Sequence, residues 1–380
     1  MGIRQYKTLM ATVAAVPDPR KRRGQRYPWR LLLGLITAAL LCGQPHGRAI
    51  GQWVQEHAEE LREKLDWTGR RLPSAATLRR ALLTIDLPAL EAGISALAPT
   101  VDESDDGQVA ALALDGKVVR GAGHHGDRVW LMGLADHQGR MRVQTALRDG
   151  QSELAAAREL LTGQDLTGQV VTMDAAFTDA GLAQQIQANG GAYLAVVKGN
   201  QPDLWWAIET EFRGGRWLIA ERAQEYRVGE TTDVGHGRIE RRRLETSTRL
   251  NTYLAEWDWP GIGQVLCRTC RRIVLKTGEV SETTSYAVTS LTPEQASVAQ
   301  LEALWRGHWS IENRVHHVRD VSFREDAGQA HTGQTAQALA ALRNGLLTSL
   351  RAAGWTQLAD ALRHFAAHPD EALAFIGATP

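Results

Sequence analysis

Cysteine is scarce, with three in 380 residues. That argues against a scaffold stapled by disulfides. Cys267 and Cys270 form a lone CxxC inside VLCRTCRRIVL. No second ligand pair is spaced to complete a zinc site, so the pair reads as part of a strand. Long apolar runs are missing too. The longest, Leu31 to Cys42, falls short of the roughly 20 residues a bilayer span needs, and reads as a buried helix. The opening MGIRQYKTLM is polar and basic, unlike a secretory signal. A cytoplasmic chain with no membrane partner is expected. Excess charge of one sign is absent, since 43 basic residues balance 43 acidic ones. Bulk charge therefore gives no argument for a polyanionic partner. No internal repeat or low-complexity segment is present.

A hydrophobic content of 43% over this length supports two or three packed units. Basic residues are clustered although the sum is zero. Arg20-Lys21-Arg22-Arg23, Arg238 to Arg243 and Arg268 to Arg272 are patches that can face phosphates, or solvated faces. Residues 1–100 read as a helical domain, with helical-period apolar positions in LLLGLITAALL and LRRALLTIDLPALEAGISALA. Ser74 is placed to cap a helix through Leu78 and Leu82. VDESDDGQ, at 101–108, reads as an acidic linker.

Beyond it the pattern becomes α/β. VAALALD, RVWLMGLAD and MRVQTALRD read as three strands. SELAAARELLTG reads as a helix, QVVTMD as a strand, TDAGLAQQIQANGG as a helix and AYLAVVKGN as a strand. This order predicts a mixed five-stranded sheet of the ribonuclease H-like type over 101–203. Residues 204–297 read as a β-rich insertion. Residues 298–380 read as helices that complete the domain.

Three short acidic motifs stand far apart in this frame. Asp115 lies in ALALDGKVVRG, at the end of the first strand. Asp174 lies in QVVTMDAAFTDAG, at the end of the fourth, which this fold sets beside the first. Glu312 lies in HWSIENRVHHVRDVSFRED, where α-helical spacing puts Glu312, His316 and Arg319 on one face. Singly, each is as readily a turn or a surface helix. Together they are the carboxylates that hard divalent cations take. Two such ions can clamp the attacking and leaving oxygens of a phosphodiester exchange.

These motifs, with DPRKRRGQRYP, AYLAVVKGNQP and GHGRIERR, run in an order that resembles DDE transposases of the insertion-sequence ISAs type, the H-repeat-associated family. The resemblance is close to full length. It implies a ribonuclease H-like catalytic domain with a β-rich insertion, preceded by a helical transposase-associated domain. It implies Asp115, Asp174 and Glu312 as the catalytic, metal-binding triad for two Mg²⁺ ions, with Mn²⁺ able to substitute. One ion would activate water for strand cleavage at the element's end, and the other would stabilise the leaving 3′ oxygen. The freed 3′-hydroxyl would then attack target DNA.

The partners implied are double-stranded DNA, as terminal inverted repeats and target, and a second copy of the chain for synapsis. A nucleoid-associated location follows. DNA contacts are expected from Lys117, Arg120, Lys198, Asn200, His236, Arg238, Arg241, Arg242, His308, Asn313, His316 and Arg319. Trp305 and His308 stand where the wider superfamily has tyrosine and arginine. His317 stands where the family commonly has tryptophan. A domesticated DNA nuclease and a DNA-binding regulator without chemistry are the rival readings. A carboxylate glycosidase finds little support among arginine-rich, aromatic-poor motifs.

Overall fold

Apolar residues at helical period build the first stretch of the chain. Six helices run through it: α1 (Leu9–Ala14), α2 (Trp29–Leu41), α3 (Gly47–Glu56), α4 (Ala58–Lys64), α5 (Ala75–Thr84) and α6 (Leu87–Ser95). In this computed structural model the described residues are 9–97, 109–122, 128–214, 225–257, 259–328 and 330–378. The acidic stretch 101–108 and RWLIAERAQ, at 216–224, lie outside them. α2 is the run expected to be buried, and every side chain from Leu32 to Leu41 is. Its one hydroxyl, on Thr37, donates to the Leu33 carbonyl at 2.8 Å. The run LRRALLTIDLPALEAGISALA is divided rather than continuous. Ile85 is extended, and Asp86 accepts from the Ala89 N–H at 3.1 Å. Pro88 follows in the first turn of α6, where no N–H is needed. Ser74 does precede α5, but its hydroxyl meets Thr77 Oγ1 at 3.2 Å and caps no backbone N–H.

The chain divides into two units. One comprises Met1–Asp102, Gly116–Gln151 and Ser310–Pro380; the other comprises Glu103–Asp115 and Ser152–Trp309. Strand β1 (Ala111–Val119) belongs to both, the division falling after Asp115. In the first unit its end lies beside β2 (Val129–Asp136), which pairs antiparallel with β3 (Met141–Ala146).

The second unit continues with α7 (Glu153–Leu161), β4 (Val170–Met173), α8 (Ala180–Ala188), β5 (Ala192–Val197) and α9 (Pro202–Gly214). Then come β6 (Tyr226–Gly235), β7 (Arg238–Ser247), α10 (Asn251–Ala255), β8 (Gln264–Val274), β9 (Val280–Thr289) and α11 (Val298–Gly307). The start of β1 pairs in parallel with β4, Ala111 opposite Val170 and Leu114 opposite Met173. β4 pairs in parallel with β5.

The sheet does not stop at the five strands that the sequence predicts. β9 pairs antiparallel with β5, and the order runs on through β8 and β7 to β6. The β-rich stretch thus extends the sheet. An uncovered β5 edge would bare its backbone N–H and C=O groups. Leu266 and Ala287 on the new strands pack with Leu194, Leu301, Leu304 and Trp305 in one core cluster. Cys267 and Cys270 sit three apart on β8, so strand alternation sends them to opposite faces and they form no chelate.

The first unit resumes in a π-helical stretch, Ile311–His316 and Val318–Ser322. It ends with α12 (Thr335–Ala352), α13 (Leu358–Ala367) and α14 (Pro369–Ile376). Its interior holds charge. Glu325 takes Arg319 Nη2 at 2.7 Å and Arg343 Nη1 at 2.8 Å, and Arg319 and Glu325 are each 1% exposed. Arg319 Nη1 also donates to Gln144 Oε1 at 3.0 Å, and Arg343 Nη2 to the Pro45 carbonyl at 2.5 Å. One carboxylate thereby ties β3, the π-helical stretch, α12 and the α2–α3 turn together. Burial would raise the Glu325 pKa, but the two guanidinium groups hold it below its usual value.

Replacing Glu325 with Gln strands two buried cations, so Glu325→Gln is expected to destabilise the protein by about 3–5 kcal/mol in denaturant titration. A depressed carboxylate contributes stability that is complete above its ordinary value, 4.5, and is lost as pH falls through the lowered one. The gap between wild type and variant therefore narrows in acid.

Candidate active site

In the second unit two acids are set side by side by the parallel ladder. Leu114 opposite Met173 is its last registered pair, and Asp115 and Asp174 come next. The sequence places Asp115 at the end of its strand. The strand in fact continues to Val119, and what ends before Asp115 is only the pairing with β4. β4 stops because Asp174 turns the chain. Its Oδ1 accepts from the Ala176 N–H at 2.9 Å, capping a 3-10 turn over Ala175–Phe177. Its Oδ2 has no hydrogen bond among the described residues.

The loop after β5 clasps that turn. Asn200 Nδ2 donates to the Ala175 carbonyl at 2.6 Å, and Gln201 Nε2 to the Thr178 carbonyl at 2.9 Å. Thr178 Oγ1 lies 3.1 Å from the Asp174 carbonyl and 2.5 Å from that of Val196. One N–H of the Asn200 amide is therefore engaged with backbone, while the residue itself is exposed. Lys198, two residues before it, is exposed.

His308, at the end of α11, is buried, with Nδ1 3.3 Å from Thr172 Oγ1 on β4. Burial pushes its pKa below the usual imidazole value, while Asp115 and Asp174 pull it upward. Its place is beside the two acids, and burial removes it from the solvent-facing DNA contacts. Glu153, the first residue of α7, was not singled out by sequence reasoning. Its pKa is raised, first by burial and then by the charges of Asp115 and Asp174. It is a third acid near the pair. Its only signal was the Ser-Glu that begins a helix, with Ser152 Oγ accepting from the Ala155 N–H at 3.2 Å.

In the first unit, Glu312 is exposed on the π-helical stretch and buried His316 lies beneath it, Nδ1 to Oε2 at 3.3 Å. That hydrogen bond, against an opposing effect of burial, draws the Glu312 pKa below normal; the charges of His316, Lys117 and His317 add to it. α-Helical spacing predicts Arg319 on the same face. A π-turn holds more residues than an α-turn, so the position seven on is carried round to the interior, where Arg319 meets Glu325. Lys117 is also turned inward, its Nζ 2.5 Å from Asp320. Arg319, Lys117 and His316, expected among the DNA contacts, are thus buried and held by partners. Asn313 is exposed. So is Arg120, whose backbone N–H donates to Asp326 Oδ1 at 3.1 Å.

The arginine run on β7 divides by strand alternation. Arg242 is buried, pairs with Asp233 and Glu240, and lies 3.9 Å from Glu302 on α11. The residue expected to grip DNA is thus engaged inside the protein. Arg238 lies 2.7 Å from Glu240. Arg241 points the other way, is exposed, and stands opposite exposed Arg271 of β8. Neither has an ion pair among the described residues. His236 and Gly237 form the β6–β7 turn, both with positive φ (49° and 72°), as a two-residue type I′ hairpin requires. His236 is exposed there. In the N-terminal run, Arg20 is bound to Asp18 at 2.8 Å, whereas Lys21, Arg22 and Arg23 are exposed.

Known proteins share this arrangement of sequence. A family model described as "Transposase DDE domain" matches residues 110–349, and one described as "DDE_Tnp_1-associated" matches 10–98. The chain belongs to the DDE transposase family. Similar curated relatives include the putative transposase YncI of Escherichia coli O157:H7, 26% identical over 91% of this chain and 87% of that protein. Another is the H repeat-associated putative transposase YhhI of Escherichia coli strain K12, 26% identical over 90% and 89%. A solved piggyBac transposase synaptic complex with hairpin DNA aligns at a TM-score of 0.41 and 8% identity, over 97% of this chain and 77% of that one. No described helix is long and apolar enough to cross a membrane.

DDE transposases use divalent metal, and the second unit offers suitable donors. Two adjacent carboxylates, one with an oxygen free of hydrogen bonds among the described residues, give hard oxygen ligands. Burial first, and then the charges of this pair, raise the nearby Glu153, and a bound cation would relieve the second effect.

The split among the arginines is testable by stability alone. Arg242→Ala leaves Glu240 and Glu302 without their buried partner and is expected to cost about 3 kcal/mol in denaturant titration. Arg241→Ala, at the surface, is expected to stay within about 0.5 kcal/mol of wild type.

Proposed function

We propose that this DDE transposase cuts DNA at the ends of its element and joins the freed 3′-hydroxyl to target DNA. Asp115, Asp174 and Glu312 are the acids of the reaction and hold two Mg²⁺ ions. The observation that carries the reading is the pair Asp115 and Asp174 at the close of the β1–β4 ladder. The strand order β3-β2-β1 in one unit and β1-β4-β5 in the other supports a ribonuclease H-like catalytic core.

The bound ions would supply Lewis acidity toward phosphate oxygens and water. The chain's own residues do the rest. The capped turn holds the Asp174 carboxylate in one orientation, and the Asn200 clasp keeps that turn from opening. Buried His308 meets Thr172 on the strand that carries Asp174. His316 fixes the direction of the Glu312 side chain. Arg241 and Arg271 form a cationic face for DNA phosphate, with His236 at the hairpin tip. Arg120, Lys198 and Asn313 remain as exposed contacts. Two directly opposed arginines are unfavourable as a bare cross-strand pair, and a phosphate between them would reverse that. The substrates are double-stranded element ends and target DNA, synapsed by a dimer.

Asp174→Asn is expected to lower Mg²⁺-dependent cleavage of end DNA by about a thousandfold or more, a scale typical of lost electrostatic catalysis. Binding of the same DNA by fluorescence anisotropy should change little. Cleavage at the wild-type rate would remove Asp174 from the reaction. Arg241→Ala should weaken binding to all sequences alike and reduce the slope of log affinity against log salt by about 1.

A further inference from the structure

The last two helices carry a group of ligands that the transposition chemistry does not use. His364 lies on α13, His368 joins α13 to α14, and Glu371 lies in the first turn of α14. Their ligand atoms all fall within 4.8 Å of one another. We propose that these three residues bind a first-row transition metal ion, Zn²⁺ above all. This site would stand apart from the carboxylates proposed for DNA cleavage.

The backbone builds the site. His368 has φ −132° and ψ 73°, which breaks the helix, and Pro369 starts the next one. The break folds Glu371 back toward His364, bringing Oε2 to 2.7 Å from Nε2. His368 Nδ1 lies 2.9 Å from the His364 carbonyl. A carbonyl only accepts, so Nδ1 carries the proton and Nε2 keeps the lone pair. That is how metal-binding histidines are commonly oriented. The two imidazoles stand 4.7 Å apart, tilted by 30°. The Trp355 ring packs 5.5 Å from that of His364 and restricts it.

Two imidazole nitrogens and one carboxylate oxygen form the donor set of three-ligand zinc sites, with a fourth position for water. Imidazole is a poor ligand for Mg²⁺ or Ca²⁺, so the site would not draw on the same ion pool as the catalytic acids. On binding, the proton at His364 Nε2 leaves that atom, for Nδ1 or for solvent, and the metal replaces the hydrogen bond to Glu371. The ion would pin α14 to α13 and add to the Lys64–Asp370 pair, 3.6 Å, which joins α14 to α4.

The test uses the full chain, stripped with chelator and kept in millimolar Mg²⁺ to fill hard oxygen sites. Calorimetric titration with Zn²⁺ should give one ion per chain and a rise in Tm that extra Mg²⁺ does not produce. His368→Ala and Glu371→Gln, both at exposed positions, should each weaken that binding by about a hundredfold or more while leaving far-UV circular dichroism unchanged. X-ray absorption of the zinc-loaded protein should show nitrogen and oxygen ligands at about 2.0–2.1 Å. Absence of zinc binding, equal affinity in wild type and variants, or sulfur at about 2.3 Å would each overturn the proposal. The last would point to capture by Cys267 or Cys270.

Discussion

Like charges on neighbouring strands repel, and the backbone ladder between β1 and β4 sets Asp115 and Asp174 side by side all the same. The surrounding chain is arranged to hold that placement. Asp174 is fixed by capping its own turn, the turn is clasped by Asn200 and Gln201, and buried His308 lies against Thr172 of the same strand. A cation bound there would neutralise that repulsion. Hydrogen bonds from side-chain amides to the turn give Asp174 its position, and a bound ion would give the pair its charge balance.

Arginine serves two purposes in this chain, and net charge hides both. One set works inside: Arg319 and Arg343 around Glu325, Arg242 among Asp233, Glu240 and Glu302, and Arg20 on Asp18. The other set is exposed, including Arg22 and Arg23 near the N-terminus and Arg241 and Arg271 on the extended sheet. Any electrostatic attraction for a polyanion would be a local property of the second set. The formal sum of zero says nothing against it.

Much of this order was legible in the sequence. Period-two and helical apolar patterns locate β2 to β5 with α7 and α8 between them, and they place Asp174 where the chain leaves its strand. The extension of the sheet was not legible, because pairing between β5 and β9 joins residues some ninety positions apart, Leu194 with Thr289. Local pattern carries no record of such a partner. The inward turn of Arg319 was missed for another reason. Its position was judged by α-helical spacing, and the π-helical stretch does not keep that spacing. Glu153 stayed hidden because its neighbours in space are far off in the chain, and a glutamate opening a helix is ordinary. Arg241 and Arg242 looked alike until strand alternation separated them.

The wide helical turn after Glu312 also bears on how this segment can vary. Glu312 and Arg319 face opposite surroundings, one solvent and the other the core, and the number of residues between them keeps both in place. Loss of a single residue there would restore tighter winding and pull either the acid or the core arginine out of position. The identities of exposed Asn313, Arg314, His317 and Val321 are not restrained in that way. In this stretch the structure is more tolerant of exchanged side chains than of changed length, and an insertion or deletion is the lesion it can least absorb.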